Sequence, residues 1–141
     1  MRQLDTGLQL KMLRQVHQLL STARPGQILF LSLLVLALIG IVDYITGYEI
    51  STSVFYLIPI ALASWYASRR YAIAISILCA IVWGYIDSSS GHPYTHAWIP
   101  YWNAFVRFGF FLVVMSLLTT LKLNLAREER LSRTEDRKSV V

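Results

Sequence analysis

Ile28-Leu29-Phe30-Leu31-Ser32-Leu33-Leu34-Val35-Leu36-Ala37-Leu38-Ile39-Gly40-Ile41-Val42-Asp43-Tyr44 is a run whose only charged member, Asp43, stands next to its end. Coiled as a helix at 1.5 Å per residue, such a run covers about 25 Å, close to the ~30 Å hydrocarbon thickness of a bilayer. Three further apolar blocks follow, at 50–67, 71–87 and 102–121. Of the 141 residues, 55% are hydrophobic and 15% charged, and the mean hydropathy is +0.50. A water-soluble domain of this length needs more polar surface, and it would disperse its apolar residues rather than collect them in blocks. The expected fold is an all-α integral membrane protein. A four-transmembrane-helix bundle occupies 27–122, between an amphipathic segment at 1–26 and a cytoplasmic helical extension at 123–141.

Charge sets the expected orientation. Arg2, Lys11, Arg14 and Arg24 precede the first block, Arg69 and Arg70 join the second to the third, and Lys122 onward is rich in Lys and Arg. The stretches 45–49 and 87–101 carry neither. Cytoplasmic loops hold the excess of Lys and Arg, so both termini are expected in the cytoplasm of a bacterial inner membrane. The net charge of +5 then fits anionic lipid headgroups as partners, and no nucleic acid is expected. Trp65, Tyr66, Tyr71, Trp98, Tyr101 and Trp102 border the blocks, where amphipathic rings favour headgroup depth. Polar residues 1–27 do not read as a cleaved leader, because no small-x-small site follows the first apolar block.

The flanks have helical patterns of their own. Leu8, Met12, Val16, Leu19 and Leu20 share one helical face, with Lys11, Arg14, Gln15 and Gln18 on another, the pattern of an interfacial helix ending near Arg24-Pro25. Leu118, Leu121, Leu125 and Glu128 follow helical spacing into the tail. They leave open a short dimeric stalk or a basic tail that only enforces topology. Within the third block Ala72, Ser76, Ala80 and Gly84 place a small residue at every fourth position, which favours close helix approach in the bundle or in a homodimer. Pro59 is expected to bend the second block.

Polar residues converge at one side of the membrane by topology. Asp43, Glu49 and Asp87 end or follow apolar blocks, Tyr56 lies in the second block, and Asn103 and Arg107 stand one turn apart in the fourth. An arginine in apolar surroundings must snorkel, face a wet cavity or pair with an anion. This group is therefore read as either a ligand site or an ion-pair cluster. His92 and His96, with Asp87 or Glu49, have the donor types for Zn²⁺ or Cu²⁺. Pro93 and Ser88-Ser89-Ser90-Gly91 point instead to an exposed loop, and no resident cofactor is expected. The lone Cys79 lies inside an apolar block. The sequence contains no phosphate loop, no HExxH and no nucleophile elbow, so no enzymatic activity is expected.

Several polar stretches carry a resemblance. Asp43-Tyr44-Ile45-Thr46-Gly47-Tyr48-Glu49, Ser53-Val54-Phe55-Tyr56-Leu57-Ile58-Pro59-Ile60-Ala61 and Trp65-Tyr66-Ala67-Ser68-Arg69-Arg70 are three of them. Gly91-His92-Pro93-Tyr94-Thr95-His96, Ile99-Pro100-Tyr101-Trp102-Asn103-Ala104 and Arg107-Phe108-Gly109-Phe110-Phe111 complete the set. Over about residues 28–133 the sequence resembles the membrane input region ahead of bacterial GGDEF-type diguanylate cyclases and of related sensor histidine kinases. The resemblance implies a sensory or anchoring domain whose segment 125–134 leads toward a cytoplasmic output domain. No GG[DE]EF signature is present, so cyclase activity does not carry over. The expected function is signal input, relayed to an output domain or protein partner. A passive anchor, or a small oligomeric transporter or ion-conducting protein, stands as the alternative.

Overall fold

A computed structural model describes residues 2–47, 52–91 and 93–140, and the side chains of these from Gly7 onward. Among the described residues the chain is all-helical: α1 Arg2–Thr22, α2 Pro25–Thr46, α3 Leu57–Tyr66, α4 Arg69–Ser89 and α5 Ile99–Ser139. A 3-10 turn, Ser53–Tyr56, leads directly into α3. Three helices, α2, α4 and α5, are long and apolar enough to cross a membrane, and the segment Ser53–Tyr66 is apolar but shorter.

Local chemistry explains the boundaries. Ser21 and Thr22 turn their hydroxyls back onto the Gln18 carbonyl as α1 ends. Arg24 then takes an extended conformation, its N–H donates to Gln27 Oε1 at 2.9 Å, and Pro25 opens α2. Proline suits a first helical turn, where its missing N–H has no bond to lose. Gly47 closes α2 at φ 62°, a left-handed value that glycine adopts without a Cβ clash. Pro59 is the third residue of α3, so the change from 3-10 to α geometry occurs just ahead of it. Where a bend at Pro59 is expected, the structure has a change of helix type just ahead of it.

Each helix from α2 to α5 buries a narrow stripe. In α2 the stripe is Ile28, Ser32, Leu36, Gly40 and Asp43; in α4 it includes Ala72, Ile75, Ser76, Cys79, Ala80 and Trp83. α3 sits centrally against α2, α4 and α5 and contributes Pro59, Ile60, Ala63 and Ser64. Phe111 and Met115 of α5 complete the core. The small residues of α4 face this bundle: Ala72, Ser76 and Ala80 are buried, and a Cβ added at Gly84 would stand 3.2 Å from the Ala104 Cβ. The buried hydroxyls of Ser64 and Ser76 bond the carbonyl four residues back, so they add no unmet donor to the core.

The outward faces are as apolar as the inward ones. Only 28% of the apolar window of α2 and 11% of that of α5 is covered by protein. Phe30, Ile41, Ile81, Phe105 and Leu117 point away from the core. Continuous apolar faces of this extent are not sustained against water and call for a hydrocarbon solvent.

Candidate functional site

Polar side chains gather at the end of the bundle where α2 and α4 finish and α5 begins. Asp43 occupies the last turn of α2 and is 6% exposed. Its carboxylate accepts one hydrogen bond from the Thr52 hydroxyl and another, at 2.8 Å, from the Tyr56 hydroxyl. The Tyr56 ring is fully buried, lies nearly parallel to Phe111 with centroids 6.5 Å apart, and its carbonyl accepts from the Cys79 thiol at 3.7 Å. The 3-10 turn is thereby bound to α2, α4 and α5 through one residue. A buried carboxylate needs such donors, since an unmet charge in low dielectric costs several kcal/mol, on the order of the stability of a small domain.

A second group spans α4 and α5. Asp87 accepts from the Tyr94 hydroxyl at 2.5 Å, and Asn103 Nδ2 donates to that same oxygen at 3.4 Å. The Arg107 guanidinium lies over the Trp83 ring, 3.8 Å from its centroid. Trp83 and Asp87 are four residues apart on α4, and Asn103 and Arg107 are four apart on α5. Residues at that spacing share a helix face. Two such pairs therefore meet across the antiparallel helices, Arg107 against Trp83 and Asn103 toward Asp87 through Tyr94.

Electrostatics joins the two groups. Arg107 sits in the field of Asp87 first and Asp43 second, followed by Tyr56 and Tyr94. Among the described residues it forms no ion pair at contact distance; hydroxyl groups hold both carboxylates instead. A cation stacked on an indole face keeps the edges of its guanidinium available to other acceptors. In the loop, burial and the hydrogen bond to Asp87 push the Tyr94 phenol above its ordinary value.

Asp43, Tyr56, Asp87, Asn103 and Arg107 all come to this end of the bundle. Glu49 and His92 lie outside the described residues. His96 is exposed, and its carbonyl accepts the Ile99 N–H at 3.2 Å where α5 starts. Among the described residues no group of three or more His, Cys, Asp and Glu is placed to hold a metal ion. Thr52 and Trp83 are additions that the sequence reading did not single out. Trp83 had a usable signal, its position one turn before Asp87 on the same face. Thr52 had none, because the chain between it and Asp43 shows no regular period.

This is a helical bundle with outward apolar faces and one polar end. Residues 26–135 match the family model described as a domain of unknown function, DUF4118, and the chain belongs to that family. Comparisons with curated proteins and with solved structures return no match.

Proposed function

We propose that the chain is a four-span inner-membrane domain, with both ends in the cytoplasm, that receives a stimulus at its outer polar end and relays it along α5. One observation carries this reading. α5 is a single unbroken helix of 41 residues, about 62 Å long, that bears Asn103 and Arg107 near its start and Arg133 and Arg137 near its end. A helix twice as long as the hydrocarbon is thick is a continuous mechanical link between the two compartments.

The course of α3 supports four crossings rather than three. Its 3-10 turn begins beside Asp43 at the end of α2, and Tyr66 at its other end meets His17 of α1, which precedes α2. The segment Ser53–Tyr66 spans about 23 Å, short of a full hydrocarbon core, and local thinning or the Trp65–Tyr66 pair at its end makes up such differences at modest cost. With α3 crossing, Arg24, Arg69, Arg70 and Lys122 all fall on the cytoplasmic side. The resemblance to input regions of diguanylate cyclases and sensor kinases adds the expectation of a cytoplasmic output domain or partner, with a homodimer as the signalling unit.

A relay needs two arrangements of α5 that the polar end favours differently. The test is a cysteine scan of positions 121–134 in vesicles, scored by disulfide formation between chains, in the wild-type sequence and in Arg107→Gln. A relay is expected to shift the phase of the cross-linking pattern in the variant. An identical pattern, with the variant folded and inserted, favours the passive anchor and overturns the proposal.

A further inference from the structure

The apolar face of α1 has no cover within the protein. Leu8, Met12, Leu13, Val16 and Leu19 are each more than half exposed. Along α1 and its junction with α2 the sequence holds Arg2, Lys11, Arg14 and Arg24 against one carboxylate, Asp5. Two attachments fix where this helix lies. Its last residue, Thr22, is separated from Pro25 at the start of α2 by Ala23 and Arg24 alone. Further back, His17 Nδ1 shares a 2.9 Å hydrogen bond with the Tyr66 hydroxyl, and the two rings approach to 5.7 Å.

These attachments exclude a straight continuation of α2. A helix running on along that axis would carry His17 about 12 Å beyond Pro25, away from the end of α3. Instead α1 turns back at Ala23 and Arg24 so that His17 reaches Tyr66 at the end of α3. There His17 joins Ile58, Leu62, Trp65, Tyr66 and Leu118 around a groove of about 500 Å³ between α3 and α5. Leu118 belongs to the stretch of α5 that leads into the tail.

We infer that α1 is a docking arm for an anionic bilayer surface. Its Leu8–Met12–Val16–Leu19 face seats at the acyl boundary, its Lys11 and Arg14 side chains meet acidic headgroups, and His17–Tyr66 ties it to α3. The charge of the occupant follows from the charge of the arm: Arg2, Lys11 and Arg14 outweigh the single carboxylate Asp5, a basic excess that favours an anionic surface, and each basic residue near such a surface raises its occupancy about fivefold. Lipid charge in the inner leaflet thereby bears on the groove beside Leu118, a second point of influence on α5. The inference rests on the chain being seated in a bilayer and not on α5 carrying a signal.

The test uses the full chain in nanodiscs of phosphatidylcholine alone or with one-third phosphatidylglycerol. Spin labels are placed singly at positions 8 to 19, and Cys79, fully buried, serves as the unlabelled control. Collision with oxygen is expected to peak at positions 8, 12, 16 and 19, and collision with a water-soluble nickel chelate at 11, 15 and 18. The contrast should deepen with phosphatidylglycerol, and Lys11→Gln with Arg14→Gln should lower the seated fraction roughly fivefold per charge. Uniform access of the nickel chelate overturns the inference, as does lipid-independent burial of the apolar face. Spin–spin broadening at the apolar positions also overturns it, since it would show a second copy on that face. Correct insertion of the spans in the same sample separates each of these outcomes from failure of the membrane reading.

Discussion

Arg107→Gln removes the one cation that lies inside an apolar block while leaving Trp83, Asp87 and Asp43 in place. Two interactions disappear. Stacking on the Trp83 face at 3.8 Å contributes about 1–2 kcal/mol at a partly desolvated site. Unit charges about 4–8 Å apart at an effective dielectric near 20 interact by about 2–4 kcal/mol, and partial exposure reduces that by roughly half. The expected loss on unfolding in mixed micelles is therefore about 2–4 kcal/mol. A double-mutant cycle separates the parts. Coupling between Arg107→Gln and Asp87→Asn is expected at about 1 kcal/mol and should exceed that with Asp43→Asn, because Asp87 exerts the larger field on Arg107. Trp83→Leu should couple to Arg107→Gln by a similar amount. If the carboxylate couplings both fall within the ~0.3 kcal/mol of independent sites, Arg107 is not joined electrostatically to the two groups.

Tyr56→Phe deletes the 2.8 Å hydrogen bond to a buried carboxylate and should cost about 1.5–3 kcal/mol in the same unfolding assay. Gly84→Leu has no room, with the Ala104 Cβ only 3.2 Å from the first added carbon, and should lower stability by about 1–3 kcal/mol through separation of α4 from α5. The raised pKa of Tyr94 favours its neutral form in the folded chain. Its contribution to stability is complete below the ordinary value of 10.0 and is lost as pH rises through the higher folded value. The 295 nm absorbance of wild-type chain minus Tyr94→Phe should therefore rise only above the pH at which exposed tyrosines ionise.

The helical character of the apolar blocks was legible because lipid-facing segments must satisfy their own backbone, which leaves few options for a long apolar run. The small-residue positions of α4 were legible as a contact face, and the bundle takes them. The polar end was legible only as a gathering of residue types. Asp43 and Arg107 invite pairing on paper, yet Asp43 is held by Thr52 and Tyr56, whose approach depends on a 3-10 turn with no sequence period of its own. Arg107 rests on Trp83, a residue that composition alone reads as core or membrane anchor. The attachment of α1 through His17 was hidden for the same reason. A histidine on a polar helix face has no local signal for a tyrosine 49 residues away.

The proposed four-span arrangement underlies the relay, and sidedness tests it most directly. Single cysteines replace Ser68 between α3 and α4, Ser90 after α4 and Ser139 at the end of α5, and each is exposed in whole cells to a membrane-impermeant maleimide. The expected result is labelling at position 90 alone, with 68 and 139 reached only after the membrane is opened. Labelling of 68 and 139 from outside, with 90 protected, would mean that α3 does not cross or that the bundle is inverted, and either would contradict the account.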